Sequence, residues 1–182
     1  MVHTVGIDER AKRVQLLLFD VDGVLTDGKI LLDADGRESK RFDIKDGTVL
    51  VWAQRLGLTV GFLSARTSAA TAQRAAQLGI TLVHQGVPSK LQAYEQIVDE
   101  LLLDDDCVAY MGDDILDLPV LARVGLATAP ADAAMDVRSR VHWVSQARGG
   151  DGAARELIEF VLRAQGRWDG ILATYLPDER KP

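Results

Sequence analysis

The chain has 182 residues, of which 47% are hydrophobic and 26% are charged, and its formal net charge is −6. This length and composition predict a single folded domain, 1–182, and exclude a disordered or fibrous protein. The negative charge argues against nucleic acid as a partner, and the apolar runs are too short to span a membrane. Residues 1–13 lack the apolar core of a signal peptide, and Cys107 is the single cysteine, so the cytoplasm is the expected location.

Short apolar runs alternate with longer segments of helical pattern along the chain. Gly79 is expected to end the second helix, and Ser89 to cap the third. This alternation predicts an α/β fold, a doubly wound parallel sheet with helices on both faces. Residues 167–182 are expected to form a short helix and a loose polar tail. Strands are predicted near 14–20, 58–63, 80–83, 108–112, 125–128 and 141–144, and helices over 47–56, 68–78, 89–102, 117–123 and 153–165.

One segment breaks the alternation directly after the first strand. The segments 29–32 and 40–44 flank a stretch, 33–37, that contains two Asp and a Gly and is typical of a hairpin turn. We therefore predict a β-hairpin insertion at about 28–43, at the edge of the sheet where open α/β sheets bind ligands. Lys40 and Arg41 are expected to be solvated, because charges on hairpin edges discourage aggregation.

Two carboxylates, Asp20 and Asp22, lie at the end of the first predicted strand. Residues i and i+2 of a strand share a face, so both carboxyl groups can reach one small volume. Buried carboxylates lose hydration, and a divalent cation with oxygen ligands is the usual compensation.

Further reactive groups follow the neighbouring strands. Ser64 follows the second strand, Lys90 opens a helix, and Asp113, Asp114 and Asp117 follow the fourth strand. The first, second and fourth strands of a doubly wound sheet are neighbours, so their carboxyl ends meet at one crevice. The sequence therefore predicts a metal and phosphate site at this crevice.

These motifs resemble, in order, the four motifs of the haloacid dehalogenase superfamily of phosphohydrolases. The resemblance implies that Asp20 is a nucleophile that becomes an aspartyl-phosphate. It implies that Asp22 acts first as a general acid and then as a general base. Ser64 and Lys90 would hold the phosphoryl oxygens, and the charge of Lys90 would favour ionised Asp20.

The same resemblance implies Mg²⁺ as the cofactor. The Asp20 carboxylate, the Asp22 backbone carbonyl and Asp113 would be its protein ligands. Asp114 and Asp117 would lie behind these ligands and orient them.

The chain carries no cap domain, and this capless plan resembles the 3-deoxy-D-manno-octulosonate 8-phosphate phosphatase family from about residue 14 to residue 167. Residues 42–47 look like that family's Phe-Asn-Val-Arg-Asp-Gly substrate loop, and 149–156 like its Gly-Gly-x-Gly-Ala-x-Arg-Glu segment. The resemblance implies a homotetramer in which the hairpins form a central barrel and a neighbour closes each site. It also implies a phosphorylated sugar acid as substrate, contacted by Asp43, Lys45, Asp46, Gly47, Arg66 and Arg74.

Some positions depart from the family pattern and leave alternatives open. Asp43 replaces an asparagine, Lys45 replaces an arginine without its bidentate geometry, and Val51 stands where some members carry a substrate-contacting arginine. The expected activity is hydrolysis of the octulosonate phosphate in lipopolysaccharide precursor synthesis. A nine-carbon ulosonic acid 9-phosphate is the alternative substrate, and a non-catalytic scaffold or regulatory subunit is a more distant alternative. The 149–152 segment is either a turn capped by Asp151 or a contact between subunits.

Overall fold

A six-stranded parallel sheet forms the centre of the protein, whose computed structural model describes residues 6–176. The sheet order is β5-β4-β1-β6-β7-β8, and β2 pairs with β3 in a separate antiparallel ribbon. This is the doubly wound order predicted from the alternation of strands and helices, and the fold prediction is confirmed. The strands are β1 (Leu16–Phe19), β2 (Leu31–Leu32), β3 (Glu38–Ser39), β4 (Thr59–Leu63), β5 (Leu82–His84), β6 (Val108–Met111), β7 (Leu126–Ala129) and β8 (Trp143–Val144).

Helices cover both faces of the sheet. Two of them, α1 and the single turn α6, were not predicted, because neither is long enough to give a helical pattern of apolar residues. Within the described residues, no helix is long and apolar enough to cross a membrane. The helices are α1 (Ile7–Arg13), α2 (Ile44–Arg55), α3 (Ala69–Leu78), α4 (Lys90–Leu101), α5 (Leu118–Leu121), α6 (Met135–Arg138), α7 (Ala153–Ala164) and α8 (Trp168–Tyr175).

The buried side chains of β1 divide the core into two clusters. Leu17 and Phe19 belong to the cluster that α1, α2, α7 and α8 cover, whereas Leu16 and Leu18 belong to the cluster under α4 and α5. This alternation follows from the two-residue period of a strand that is buried on both faces. It leaves the residues after Phe19 at the carboxyl edge of a rigid sheet.

Capping residues explain where several helices begin and end. Ser89 accepts a hydrogen bond from the Gln92 amide at the start of α4, and Gly79 ends α3 in the left-handed conformation, as predicted. The helix predicted over 117–123 is instead a 3₁₀ turn, Ile115–Asp117, followed by the short α5. The predicted helix after Gly166 is α8, whereas most of the predicted tail, 177–182, lies outside the described residues.

The hairpin insertion is present, but its second strand differs from the prediction. Strand β3 is Glu38–Ser39, whereas 40–44 was expected to be extended and Ile44 begins α2. Asp43 accepts hydrogen bonds from the Lys45 and Asp46 amides, and this N-cap starts the helix three residues earlier than predicted. The β-like pattern of 40–44 was therefore overridden by a capping aspartate.

Candidate active site

The candidate site lies where the sheet order reverses. Strand β1 pairs in parallel with β4 on one side and β6 on the other, so the chain leaves all three strands at one edge. Asp20 follows β1, Ser64 follows β4, and Gly112 follows β6. Ligands of open α/β sheets bind in this crevice. The structure therefore brings the predicted motifs to a common edge.

Lys90 is the buried cation of this crevice. Its Nζ lies 3.0 Å from Asp20 Oδ1 and 2.5 Å from Asp117 Oδ1. The Tyr110 hydroxyl also donates to Asp117 Oδ1, at 2.5 Å. Burial opposes the charge of Lys90, but Asp20 and Asp117 together raise its pKa. Lys90 is therefore held as an ammonium directly beside the predicted nucleophile.

Three carboxylates crowd the same small volume. One oxygen each of Asp20, Asp113 and Asp117 lies within 4.8 Å of the other two. Burial, followed by the charge of Asp117, raises the pKa of Asp20, and Lys90 offsets this only in part. Burial, followed by the charges of Asp20 and Asp117, raises the pKa of Asp113. The cluster therefore has an excess of negative charge that a cation would relieve.

The residues present fit Mg²⁺. Asp20 Oδ1 is buried and accepts no hydrogen bond from the described residues, although Lys90 is close. Gly23 leaves room for Asp113, because a Cβ at Gly23 would lie 2.0 Å from Asp113 Oδ2. Carboxylate and carbonyl oxygens form the hard donor set that Mg²⁺ prefers.

Asp117 and Asp114 have other partners. Asp117 Oδ2 accepts from the amides of Asp113 and Asp114, at 3.0 and 3.1 Å, while its Oδ1 is used by Lys90 and Tyr110. Asp114 caps the 3₁₀ turn by accepting from the Ile115 amide. Both oxygens of Asp117 are therefore engaged, which suits a residue that orients the Asp113 loop rather than a direct ligand.

The Asp22 carboxylate faces the hairpin rather than the acidic cluster. Its Oδ1 accepts from Lys40 Nζ, and its Oδ2 lies 3.5 Å from Arg66 Nε. The Lys40 side chain is only 3% exposed, so the prediction that Lys40 is solvated was wrong. Arg41 is 80% exposed, in agreement with the same prediction. Pairing with a buried carboxylate explains how a lysine is accommodated there.

The predicted phosphate and arginine contacts occupy different surroundings. Ser64 is buried, and its Oγ accepts from the Arg66 amide at 3.2 Å. Arg66 is half exposed and turns its guanidinium toward Asp22. Arg74 instead donates to the Asp43 carbonyl at 3.3 Å and lies over the Phe42 ring. Arg74 thus supports the loop before α2 in this subunit.

The predicted substrate loop divides into an exposed and a buried part. Asp43 and Lys45 line an open cleft of about 610 Å³, together with Arg41 and Arg148. Gly47 is buried below it, and a Cβ there would lie 2.2 Å from Arg74 Nη2. The cleft does not reach Asp20 itself. Its charged lining is nevertheless close to the loop that follows β1 and carries the predicted nucleophile (residues 20–27, here called the catalytic loop). Asp27 of this loop and Gly149 both border the cleft.

Asp46 lies under this loop and contacts α7. Its Oδ1 accepts from the Arg155 amide at 2.8 Å, whereas its buried Oδ2 has no hydrogen-bond partner among the described residues. Burial, together with the charge of Asp43, raises the pKa of Asp46 to about 6. The Arg155 and Gly152 amides and the Arg155 charge lower this pKa, but to a smaller extent. Asp46 therefore connects two helices, and its proposed contact with substrate has no geometric support here.

This burial predicts a pH-dependent stability for Asp46→Asn. The folded protein binds the Asp46 proton more tightly than the unfolded chain, so ionisation destabilises the fold as the pH rises from about 4 to 6. At pH 8 the asparagine variant should be more stable than wild type by roughly 2 kcal/mol, and at pH 4 nearly equal. Urea unfolding at both pH values measures this difference. A variant that is less stable than wild type at pH 8 contradicts the assignment.

The glycine pair before α7 packs against the catalytic loop of its own subunit. A Cβ at Gly149 would lie 1.8 Å from the Gly23 carbonyl oxygen, and the Gly150 amide donates to the Val24 carbonyl. The helix cap is Gly152, without a side-chain hydrogen bond, so the alternative in which Asp151 caps α7 was wrong. The close approach requires glycine and holds the loop after β1 in place.

Two contributors to the crevice were not predicted from the sequence. Tyr110 precedes the Gly-Asp-Asp motif on β6, and its buried hydroxyl contacts Asp117 and Lys90. Glu38 on β3 accepts from Arg66 Nη2 at 2.5 Å. Glu38 and Lys40 are less exposed than Arg37, Ser39 and Arg41, but all five residues are polar, so the sequence carries no signal of an inward face.

The chain is similar in sequence and structure to several phosphatases. The chain is 39% identical to the 3-deoxy-D-manno-octulosonate 8-phosphate phosphatase KdsC of Escherichia coli K12, over 88% of this chain and 85% of that protein. The crystal structure of the same phosphatase from Yersinia pestis superposes with a TM-score of 0.89 at 38% identity, covering 90% of this chain and 89% of that one.

A third relative carries ligands. The phosphatase from Moraxella catarrhalis, in complex with magnesium, phosphate and KDO, has a TM-score of 0.91 and 33% identity, covering 93% of this chain and 98% of that one. No protein-family model matches the chain. The identity and coverage of these relatives are nevertheless sufficient to assign the family. The chain belongs to the 3-deoxy-D-manno-octulosonate 8-phosphate phosphatase family of the haloacid dehalogenase superfamily.

Proposed function

We propose that this protein is a Mg²⁺-dependent phosphatase that hydrolyses 3-deoxy-D-manno-octulosonate 8-phosphate to KDO and phosphate. The observation that carries the proposal is the buried Asp20, which lies beside Lys90 and Asp113 at the switch point of the sheet. The family supports the same reaction, which belongs to lipopolysaccharide precursor synthesis.

The chemistry assigns separate tasks to the two aspartates of the first motif. An Asp20 oxygen attacks phosphorus, the bond from phosphorus to the sugar oxygen breaks, and Asp22 gives that oxygen a proton. Water then attacks the phosphorus of the aspartyl-phosphate, and Asp22 takes a proton from the water. The bond between Asp20 and phosphorus breaks, and phosphate leaves with Asp20 restored.

The surrounding residues neutralise and position charge. Lys90 and Ser64 would hold the phosphoryl oxygens during both steps. Mg²⁺ would be held by the Asp20 carboxylate, the Asp22 backbone carbonyl and Asp113, and it supplies charge neutralisation for the transferred group. Asp117 keeps Lys90 and the Asp113 loop oriented from behind.

The sugar acid would be recognised by cationic groups near the crevice. Arg66 is half exposed beside Asp22, and Lys45 lines the cleft next to the catalytic loop. Arginine suits recognition of a carboxylate because its guanidinium donates in a planar fork. Because Asp43 and Val51 depart from the family pattern, a nine-carbon ulosonic acid 9-phosphate is the second candidate substrate.

A screen of ulosonic acid phosphates by phosphate release tests this proposal. We expect turnover of the octulosonate phosphate with Mg²⁺. EDTA treatment should lower this activity to background, and added Mg²⁺ should restore it. Preference for the nine-carbon substrate would select the alternative. A purified, folded protein that releases no phosphate from any substrate, p-nitrophenyl phosphate included, would instead support the non-catalytic scaffold.

We also propose a homotetramer in which the hairpins form a central barrel, working in the cytoplasm. The ribbon of β2 and β3 leaves Ile30, Leu31 and Leu32 exposed at 53%, 68% and 60%. An exposed apolar edge strand normally requires a partner. Light scattering should give the mass of a tetramer, and Leu31→Lys with Leu32→Lys should reduce it. A wild-type monomer at assay concentrations contradicts this assembly.

A further inference from the structure

Four side chains of alternating charge join the hairpin to the catalytic loop. Lys40 Nζ contacts Asp22 Oδ1 and lies 3.5 Å from Glu38 Oε1. Arg66 completes the ring, with Nη2 at 2.5 Å from Glu38 Oε2 and Nε at 3.5 Å from Asp22 Oδ2. We call Asp22, Glu38, Lys40 and Arg66 the charge ring.

Three of the four members of the charge ring are too buried for an ordinary surface network. The side chains of Lys40, Glu38 and Asp22 are 3%, 20% and 23% exposed. Charges that lose hydration to this degree need close partners, and removal of one partner leaves the others uncompensated. Glu38 Oε1 and Asp22 Oδ2 are buried without a hydrogen-bond partner among the described residues. The ring therefore fixes the positions of its side chains, although these two carboxylate oxygens accept no hydrogen bond within it.

Two members of the ring already have proposed roles in the reaction, and the other two have none. Asp22 is the general acid and base, and Arg66 is a substrate contact. Glu38 and Lys40 come from the hairpin, whose residues alternate between the two faces of the ribbon, and both lie on the face turned toward the crevice. The hairpin thus contributes to the site of its own subunit.

The position of Lys40 sets the direction of the Asp22 side chain. The acidic cluster that fits Mg²⁺ contains Asp20, Asp113 and Asp117, and the Asp22 side chain is not among its members. Lys40 attracts the Asp22 carboxyl toward the hairpin, which leaves the Asp22 backbone carbonyl for the cation. Lys40 also contacts Glu38, so the ammonium has a second acidic partner that holds it beside Asp22.

We propose that Glu38 and Lys40 are positioning residues for the phosphatase reaction, an inference that rests on the proposed function. Lys40 holds the Asp22 carboxyl on the side of the leaving group. Glu38 holds the Arg66 guanidinium where it can meet an anionic group of the substrate, while Arg66 remains 47% exposed to receive it. The hairpin therefore orients the acid and the substrate contact, in addition to any part it takes in assembly.

Two substrates with different leaving groups separate this role from a structural one. A sugar alkoxide needs a proton from Asp22 to leave, whereas p-nitrophenolate leaves readily without one. We expect Lys40→Met to lower kcat for the octulosonate phosphate about 100-fold, with KM little changed, and to alter the rate of the first p-nitrophenolate release less than about threefold. This first release is measured by rapid mixing, because the later hydrolysis of the aspartyl-phosphate uses Asp22 as base for both substrates. Lys40→Arg should recover part of the loss.

Glu38 should affect binding of the natural substrate instead. Glu38→Gln is expected to raise KM for the octulosonate phosphate roughly tenfold, because Arg66 loses the closer of its two charged partners, and to change kcat for p-nitrophenyl phosphate less than about threefold. Arg37→Met is the matched control, since Arg37 is 78% exposed on the same hairpin and should behave as wild type.

The outcomes distinguish this inference from the proposed function. Wild-type kinetics for both Lys40→Met and Glu38→Gln overturn the positioning roles. Equal losses in octulosonate phosphate turnover and in the first p-nitrophenolate release, or a loss of thermal stability that tracks the loss of activity, overturn them as well, because they indicate a structural effect. A wild-type enzyme that hydrolyses neither substrate overturns the proposed function itself.

Discussion

Replacement of Asp20 by asparagine is expected to abolish phosphate release while the fold is retained. An amide nitrogen or oxygen cannot form the aspartyl-phosphate, so kcat should fall by at least about 10⁴-fold. The side chain is buried, and its surroundings raise the pKa of the carboxyl despite Lys90. A neutral residue of the same shape should therefore cost little stability. Steady-state phosphate release and thermal unfolding measure the two effects.

The control for Asp20→Asn is the same change at an exposed aspartate. Asp104 is exposed in the loop that leads into β6, whereas the crevice follows the other end of that strand, and the Asp104 side chain makes no cap hydrogen bond. Asp104→Asn should retain full activity. Phosphate release at the wild-type rate by the Asp20→Asn protein would contradict the assignment of Asp20 as the nucleophile, and with it the proposed reaction sequence.

Lys90→Met is expected to damage both activity and stability. The change leaves Asp20 and Asp117 without the ammonium that lies 3.0 and 2.5 Å from their oxygens. Loss of one partner from a buried ion pair typically costs about 3–5 kcal/mol. Loss of a charge that contacts the transferred phosphoryl group should lower kcat/KM by roughly 10²–10³-fold. Urea unfolding and phosphate release report these quantities separately.

Added Mg²⁺ gives a sharper form of the Lys90 prediction. Since the cation would neutralise Asp20, one of the two carboxylates that Lys90 contacts, Mg²⁺ should restore part of the lost unfolding free energy but not the lost activity. Lys12→Met is the control, because Lys12 is half exposed and, among residues 6–176, its ammonium pairs with Glu9 alone. A Lys90→Met protein with wild-type stability in the absence of Mg²⁺ contradicts the description of Lys90 as the partner of two buried carboxylates.

Much of the site was predictable because its residues follow strands that are recognisable in the sequence. The apolar run 14–19 ends at Asp20, and comparable runs precede Ser64 and Asp113. Parallel strands in the doubly wound order place these ends together. The helix boundaries were also largely predictable where a capping residue was present, as at Gly79 and Ser89.

Features that depend on contacts between distant segments were not predictable in this way. Lys40 looked like a solvated edge residue, because nothing in the local sequence indicates that the hairpin turns this side chain toward Asp22. Asp46 fits a substrate loop by pattern, but it accepts a hydrogen bond from the Arg155 amide, 109 residues away. Gly149 resembled an ordinary turn residue, yet its missing side chain allows contact with Gly23.

Local sequence patterns predicted most of the strands and helices, the helix boundaries at Gly79 and Ser89, and the reactive groups at the strand ends. These depend on local periodicity and on the chemistry of single residues. The tertiary structure decided which charges pair: Lys90 with Asp20 and Asp117, and Lys40 with Asp22. A buried charge is stable only beside its partner, and packing of the whole chain determines which partner is within reach.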